Sequence, residues 1–286
     1  MKGKICLITG ANRGIGFETA RALAAQGATV VMLVRDARKG EEARRLIVEA
    51  TGNPNVELLQ CDLSLQSDVR RAVAEFKARH DRLHVLVNNA GIFLRQREVT
   101  SEGIERVLAT NYLSHFLLTS LLLDTLKASA PARIVNVATR TTGLRIDLDD
   151  LMLEKSYSFM IAMGRTKMGL ILFTLELAKR LQGSGVTVNA LHPGIVKTEL
   201  LDAVPAALGM VFRWIGRSAA EGARTAIYLA SSPEVAAVSG GLFADSKPIV
   251  VGGQAKDPAV AARLWQRSLE LTSPTTATGE PKAAAA

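Results

Sequence analysis

Short, unbroken apolar runs recur along this chain, each followed by a longer stretch in which apolar positions return every third or fourth residue. KICLITG, TVVMLV, VELLQC, HVLVNN, ARIVNVA and GVTVNAL are the short runs, rich in β-branched and aliphatic residues. Their length and composition predict strands, and the spacing between them leaves room for one helix each. A strand that is apolar at consecutive positions is buried on both faces, which predicts a parallel sheet with helices on either side. The first helix is predicted from Ile15 to Gln26, stopped by Gly27. Further along, SAAEGARTAIYLAS and DPAVAARLWQRSLEL predict two more helices, with a short last strand near GGLFAD. Residues 273–286, SPTTATGEPKAAAA, offer nothing to bury and are expected to be a disordered tail. With no internal repeat and no second apolar core, residues 1–272 read as one α/β domain.

Composition narrows this further. A chain of 286 residues that is 48% hydrophobic can bury a sizeable core. The formal charge of +8 raises the question of nucleic acid, but Lys and Arg are scattered without a run of like charge, so a basic nucleotide pocket and a solvated surface explain it better. Cys6 and Cys61 both fall in strand-like runs and read as buried free thiols of a reducing compartment. No signal peptide precedes the first strand, and the longest apolar stretch, FLLTSLLLDTL, is too short and too interrupted to span a bilayer. A cytoplasmic protein with no stable membrane insertion, no nucleic-acid partner and no metal is the expectation.

The first chemical motif is TGANRGIG, Thr9 to Gly16, which follows a strand and opens a helix. That is the context a dinucleotide fingerprint requires. Gly10 permits the tight turn, Gly14 lets the backbone approach a pyrophosphate, and Gly16 allows helix and strand to pack closely. The helix N-terminus would then offer N–H donors and a partial positive charge to the phosphates. At the end of the second strand, where a carboxylate would accept the ribose hydroxyl of NAD, the chain has Val34 and then Arg35. Asp36 comes too late, and Arg13 stands within the glycine loop. Two guanidiniums facing one ribose suit a 2′-phosphate, so NADP(H) is the expected cofactor, against the plainer reading of two solvated surface arginines.

TGANRGIG, NNAG (Asn88 to Gly91), NYLSHFLLT with Asn111, and HPGIVKTEL (His192 to Leu200) together resemble the short-chain dehydrogenase/reductase superfamily. RLWQRSLEL and NALHPGIVKTEL are most similar to its retinol-dehydrogenase-like branch, and the resemblance covers about residues 3 to 272. It implies a Rossmann-type doubly wound domain with seven parallel strands in the order 3-2-1-4-5-6-7. It implies cofactor contacts from Gly10, Asn12, Arg13, Gly14, Ile15, Gly16 and Arg35. It implies adenine contacts from Asp62 and Leu63, flanking contacts from Asn89, Ala90 and Gly91, and carboxamide-end contacts around Pro193, Gly194, Ile195 and Thr198. Lys167 would hold the nicotinamide ribose, and Asn111 would anchor a water beside it. Residues 199–217 correspond to the substrate lid, with Met210, Phe212 and Trp214 as a wide apolar cover. Many relatives pair through the helices spanning about 101–128 and 160–181, so a homodimer is expected.

The departures from the family pattern carry as much information as the matches. Where the family keeps a catalytic serine, this chain has Ala138 and then Thr139, whose hydroxyl can donate the same hydrogen bond. Where the tyrosine of the Tyr-x-x-x-Lys pair belongs, four residues before Lys167, stands Met163. Tyr157 falls on a separate, non-catalytic position by alignment. A positioned general acid contributes on the order of 10²–10⁴ in rate, and a thioether has no proton to give. Three readings follow: an inactive NADP(H)-binding sensor or scaffold, an enoyl reductase, or a ketoreductase whose substrate supplies the missing hydrogen bond. MGRTK has the Met-Gly-x-x-Lys spacing of bacterial enoyl reductases, but that family would place a tyrosine at Met160. The third reading is preferred. A phenol beside the ketone, as aromatic polyketides carry, would replace the phenol of the helix, and the combination resembles the atypical ketoreductases of angucyclinone antibiotic pathways. An aromatic ketone is therefore the expected substrate, with Lys167, Asn111 and Thr139 as the catalytic set.

Overall fold

A computed structural model describes residues 1–197 and 216–273. Seven parallel strands form the sheet: β1 (Ile5–Thr9), β2 (Thr29–Val34), β3 (Val56–Gln60), β4 (Val85–Asn88), β5 (Ala132–Val137), β6 (Val186–His192) and β7 (Leu242–Ala244). An eighth, β8 (Lys247–Ile249), runs antiparallel to β7 and completes the order β3-β2-β1-β4-β5-β6-β7-β8. The sequence expectation of seven parallel strands is therefore corrected by one edge strand. Asp245 and Ser246 turn the chain back with positive φ values of 52° and 58°, the geometry of a tight hairpin. β8 is three residues long and carries Pro248, which only an edge strand tolerates.

Alternation along each strand shows why consecutive apolar residues were needed. Leu7, Val31 and Leu33 point into one core, while Cys6, Ile8, Val30, Met32 and Val34 point into the other. The first core is covered by helices α3 (Gln66–Arg79), α5 (Ser114–Ala128), α6 (Phe159–Arg180) and α8 (Pro258–Thr272). The second is covered by α1 (Gly14–Ala25), α2 (Ala37–Thr51) and α7 (Ala219–Ser231). A short helix, α4 (Arg106–Leu108), leads through one wide helical turn at Ala109–Leu113 into α5. Cys6 and Cys61 are buried and unbridged, and burial pushes both thiols up to about 12. Among the described residues no helix is long and apolar enough to cross a membrane.

Within the first core runs a line of amides and hydroxyls. Asn88 Nδ2 donates to Thr119 Oγ1 at 3.0 Å and to Asn136 Oδ1 at 2.8 Å, and Asn136 Nδ2 donates to Thr174 Oγ1 at 2.8 Å. These bonds tie β4 and β5 to α5 and α6, so the first asparagine of NNAG serves the scaffold. Removing one partner of a buried amide leaves the other unsatisfied, at a cost of about 1–3 kcal/mol. Asn136→Ala is accordingly expected to lower the thermal midpoint by roughly 2–12 °C, measured by circular dichroism. An unchanged midpoint would show that this line of amides contributes no net stability.

Candidate active site

The site forms at the carboxyl ends of β1, β4, β5 and β6, where the strand order reverses, the usual place for a ligand in an open α/β sheet. A cavity of about 960 Å³ opens there. The glycine loop forms one wall. Gly10 and Gly14 adopt φ values of 65° and 57°, which residues with a Cβ adopt only with strain. At Gly16 a Cβ would lie 2.3 Å from the Gly10 carbonyl oxygen and 2.5 Å from Asn89 Nδ2, so packing alone demands glycine. The first turn of α1 has neither a side-chain cap nor an acidic residue. Its backbone donors are thus suited to an anion.

Thr9 locks this loop to the next one. Its hydroxyl accepts from the backbone N–H of Asn89 at 2.8 Å and of Ala90 at 2.9 Å, and Asn89 Nδ2 donates back to the Thr9 carbonyl at 2.9 Å. Beneath lies His115, fully buried, with Nδ1 3.2 Å from the Asn111 carbonyl and Nε2 3.3 Å from Thr9 Oγ1. A carbonyl only accepts, so Nδ1 carries the hydrogen, and Nε2 at 3.3 Å shares the Thr9 proton with the Val87 carbonyl at 3.4 Å. Burial, reinforced by Lys167, brings this imidazole down to about 3 and keeps it neutral. Asn111 sits in the wide turn before α5; its side chain accepts from Ile92 N–H at 2.8 Å and donates to the Ile92 carbonyl at 3.0 Å. Such a widened turn is frequent at functional sites.

At the basic end, Arg35 follows β2 directly and lines the cavity together with Arg13, Arg38 and Lys39. Asp36 also lines this end, but its carboxylate caps α2 by accepting from Lys39 N–H at 3.1 Å, a bond that holds it below the usual carboxylate range. The sequence reading found Arg13 and Arg35 but passed over Arg38 and Lys39, although RDARKG offered the signal.

At the other end, Lys167 lies on α6 and donates from Nζ to the Val137 carbonyl at 2.6 Å. Desolvation brings its ammonium down to about 8. Met163 stands one turn earlier, partly buried and lining the same cavity. Thr139, just past β5, places Oγ1 3.2 Å from Nδ1 of His192, the last residue of β6. His192 also lines the cavity, a side chain given no role in the sequence reading. Phe93, Leu144, Met160 and Ile195 make the remaining wall largely apolar.

The chain's three tyrosines are all accounted for elsewhere. Tyr157 donates to the Leu94 carbonyl at 2.9 Å in a small satellite core, and burial raises its phenol to about 12. Tyr112 is buried against Ser268, and Tyr228 bonds Glu234. None of the three lines the cavity.

Of the expected site residues, Gly10, Asn12, Arg13, Gly14, Ile15, Arg35, Asp62, Leu63, Asn89, Ala90, Gly91, Asn111, Thr139, Lys167, Pro193, Gly194 and Ile195 converge on this cavity. Gly16 packs behind the loop. Thr198 and the lid residues up to Ile215 lie outside the described residues, as does the tail from Pro274.

Comparison with known proteins agrees with this geometry. Residues 4–208 match the short chain dehydrogenase family. The chain belongs to that family. It is 43% identical to human retinol dehydrogenase 12, over 95% of this chain and 87% of that one. Human retinol dehydrogenase 14 is 44% identical over 94% and 86%. Among solved structures, an uncharacterised protein of Mycobacterium Paratuberculosis has a TM-score of 0.77 and 35% identity, covering 95% of this chain and 94% of the other. A 3-ketoacyl-(acyl-carrier-protein) reductase of Brucella melitensis, complexed with NADH, has a TM-score of 0.67 and 26% identity over 85% and 96%. The protein is thus an oxidoreductase of a family that uses nicotinamide cofactors, and the loop, the uncapped helix end and the cavity fit such a dinucleotide.

Lys167 sets a pH dependence. Its ammonium, ordinarily lost near 10.5, is lost near 8 here, so the charge is present below that pH and gone above it. Affinity for a nicotinamide dinucleotide is expected to fall as pH rises through about 8, and Lys167→Ala should remove that step. Cofactor fluorescence titrated between neutral and alkaline pH measures it; a flat profile in the unmodified protein would exclude Lys167 from the binding site.

Proposed function

We propose that this protein is an NADPH-dependent ketoreductase acting on an aromatic, polyketide-type ketone that bears a phenol beside the carbonyl, as angucyclinone antibiotic intermediates do. The observation that carries the reading is Met163, one turn before Lys167, facing a cavity that no tyrosine reaches. The glycine loop and the basic end would hold NADPH, which when bound would supply the hydride for the carbonyl carbon. The charge that develops on the carbonyl oxygen must be stabilised by preorganised donors. Thr139 offers a hydroxyl, and the substrate's own intramolecular phenol offers the hydrogen bond that a helix tyrosine would otherwise make, with its proximity built in. Lys167 would hold the ribose end, and Asn111 would anchor a water beside it. Leu144, Met160, Met163 and Phe93 give a soft apolar wall suited to a flat ring system. The retinol dehydrogenases among the relatives point equally to an apolar substrate.

The choice of NADPH over NADH rests on Arg13, Arg35, Arg38 and Lys39 at the cavity's basic end, with Asp36 committed to capping. NADPH should bind much more tightly than NADH, and Arg35→Ala should remove most of the preference; equal affinity in the unmodified protein would overturn the assignment. Binding of NADPH without its oxidation by any hydroxylated ketone would establish a sensor or scaffold instead.

Substrate assistance has its own test. Methylating the phenol should abolish reduction by the unmodified protein, and Met163→Tyr should restore activity on the methylated ketone. On the hydroxylated ketone the same substitution should gain little. A gain there approaching the ~10²–10⁴ expected of a general acid would show an enzyme merely lacking its acid.

A further inference from the structure

We propose that Thr139 and His192 form a neutral proton relay that delivers the proton to the reduced carbonyl oxygen, with His192 acting through the threonine as a positioning residue. The inference rests on the ketoreductase reading above and supplies the proton source that reading lacks.

Two adjacent strand ends build the pair. β5 and β6 run in register, Val137 against Leu191, and the Ala138 N–H donates to the Leu191 carbonyl at 2.8 Å. Thr139 and His192 therefore emerge side by side, with Oγ1 and Nδ1 3.2 Å apart at the edge of the cavity that Lys167 and Met163 also line. The direction of that hydrogen bond decides the chemistry. If Nδ1 were an acceptor, the threonine proton would be committed to the imidazole and Thr139 could offer a ketone only lone pairs. With Nδ1–H donating, the threonine hydroxyl is free to donate into the cavity.

The proton count then closes. Hydride arrives at the carbonyl carbon, and the π pair of the C=O bond moves to oxygen. The Thr139 O–H bond breaks and its proton joins that oxygen. The His192 Nδ1–H bond breaks and its proton replaces the one Thr139 gave. Nε2 takes a proton from solvent, leaving the imidazole neutral as its other tautomer. One hydride and one proton are consumed, and solvent exchange resets the ring.

Neutrality is what the surroundings favour. Burial lowers the His192 imidazolium below its usual range; Arg140 and Arg217 add to the effect and Asp245 opposes it. Arg217 and Asp245 are themselves ion-paired beside the turn that follows β7. The side chain stays half-buried, so protein holds one edge while solvent reaches the ring.

The test has two arms. Long-range ¹H–¹⁵N spectra of histidine-labelled protein, with His192 assigned from the resonance lost in His192→Gln, should show the Nδ1–H tautomer at neutral pH. The Nε2–H tautomer would overturn the relay, and this readout needs no substrate. In turnover with NADPH and a hydroxylated aromatic ketone, His192→Gln keeps an N–H donor but cannot exchange tautomers. It should lower kcat by about 10² with KM and NADPH affinity unchanged, and free imidazole should restore His192→Ala. Unchanged kcat, or no rescue in a variant that still binds NADPH, would also overturn it. If the unmodified protein reduces no such ketone, the ketoreductase reading fails by itself, and the tautomer alone then decides the relay.

Discussion

At the point where the strand order reverses, the Thr9 hydroxyl accepts from the amides of Asn89 and Ala90 while its own proton faces the neutral imidazole of His115 and the Val87 carbonyl. The two loops that wall the cavity meet at this junction. It fixes the glycine loop after β1 against NNAG after β4, and through His115 it reaches the carbonyl of Asn111 in the widened turn. The Val87 carbonyl lies 3.4 Å from the same oxygen, and a buried hydroxyl with this many partners cannot shift without leaving one unsatisfied, which ties the two loops together. Gly16 enforces the same closeness sterically, with no room for a methyl group between α1 and the loop.

That rigidity makes the departure at Met163 local. α6 keeps its course, and Lys167 keeps its bond to the Val137 carbonyl, so the site around Met163 is assembled although its phenol is missing. The apolar faces of Met160 and Leu144 continue the wall on either side of Met163. What the substitution removes is a donor; the space and the neighbouring charge remain.

How far the sequence showed this depends on whether a feature is local. Strands buried on both faces announce themselves as continuous apolar runs, and TVVMLV coincides with β2 from Thr29 to Val34. The glycine loop is legible because each glycine answers a separate backbone demand. β8 escapes because three residues with a proline make no run, and it exists only by pairing with β7. Arg38 and Lys39 were within reach of local reading, since the Asp36 cap starts a helix whose first turn faces the cavity. His192 was not: its meaning comes from Thr139, 53 positions away in sequence, and only the register of β5 on β6 brings the two together. Tyr157, a non-catalytic position by alignment, has the structural part that this implies, since its hydroxyl donates to the Leu94 carbonyl.

The retained lysine is the last piece. An ammonium held in low dielectric is costly unless it acts on something, and burial has already brought Lys167 to about 8. Beside a helix tyrosine, such a charge would favour the phenolate and so ease loss of the phenol's proton; an opposite charge within about 4–6 Å lowers an acid by 1–3 pKa units. Met163 gives it nothing to act on. A phenol carried by the substrate and stacked over Met163 would enter the same field and be acidified by the same lysine. The chemistry of the Tyr-Lys pair would then be divided between enzyme and substrate. The discrimination that would follow is of the strong kind, because a ketone without the phenol would leave the oxyanion one donor short beside the Thr139 hydroxyl. On this account the methionine narrows the range of ketones the protein can reduce, and Lys167 is kept because half of the pair still works.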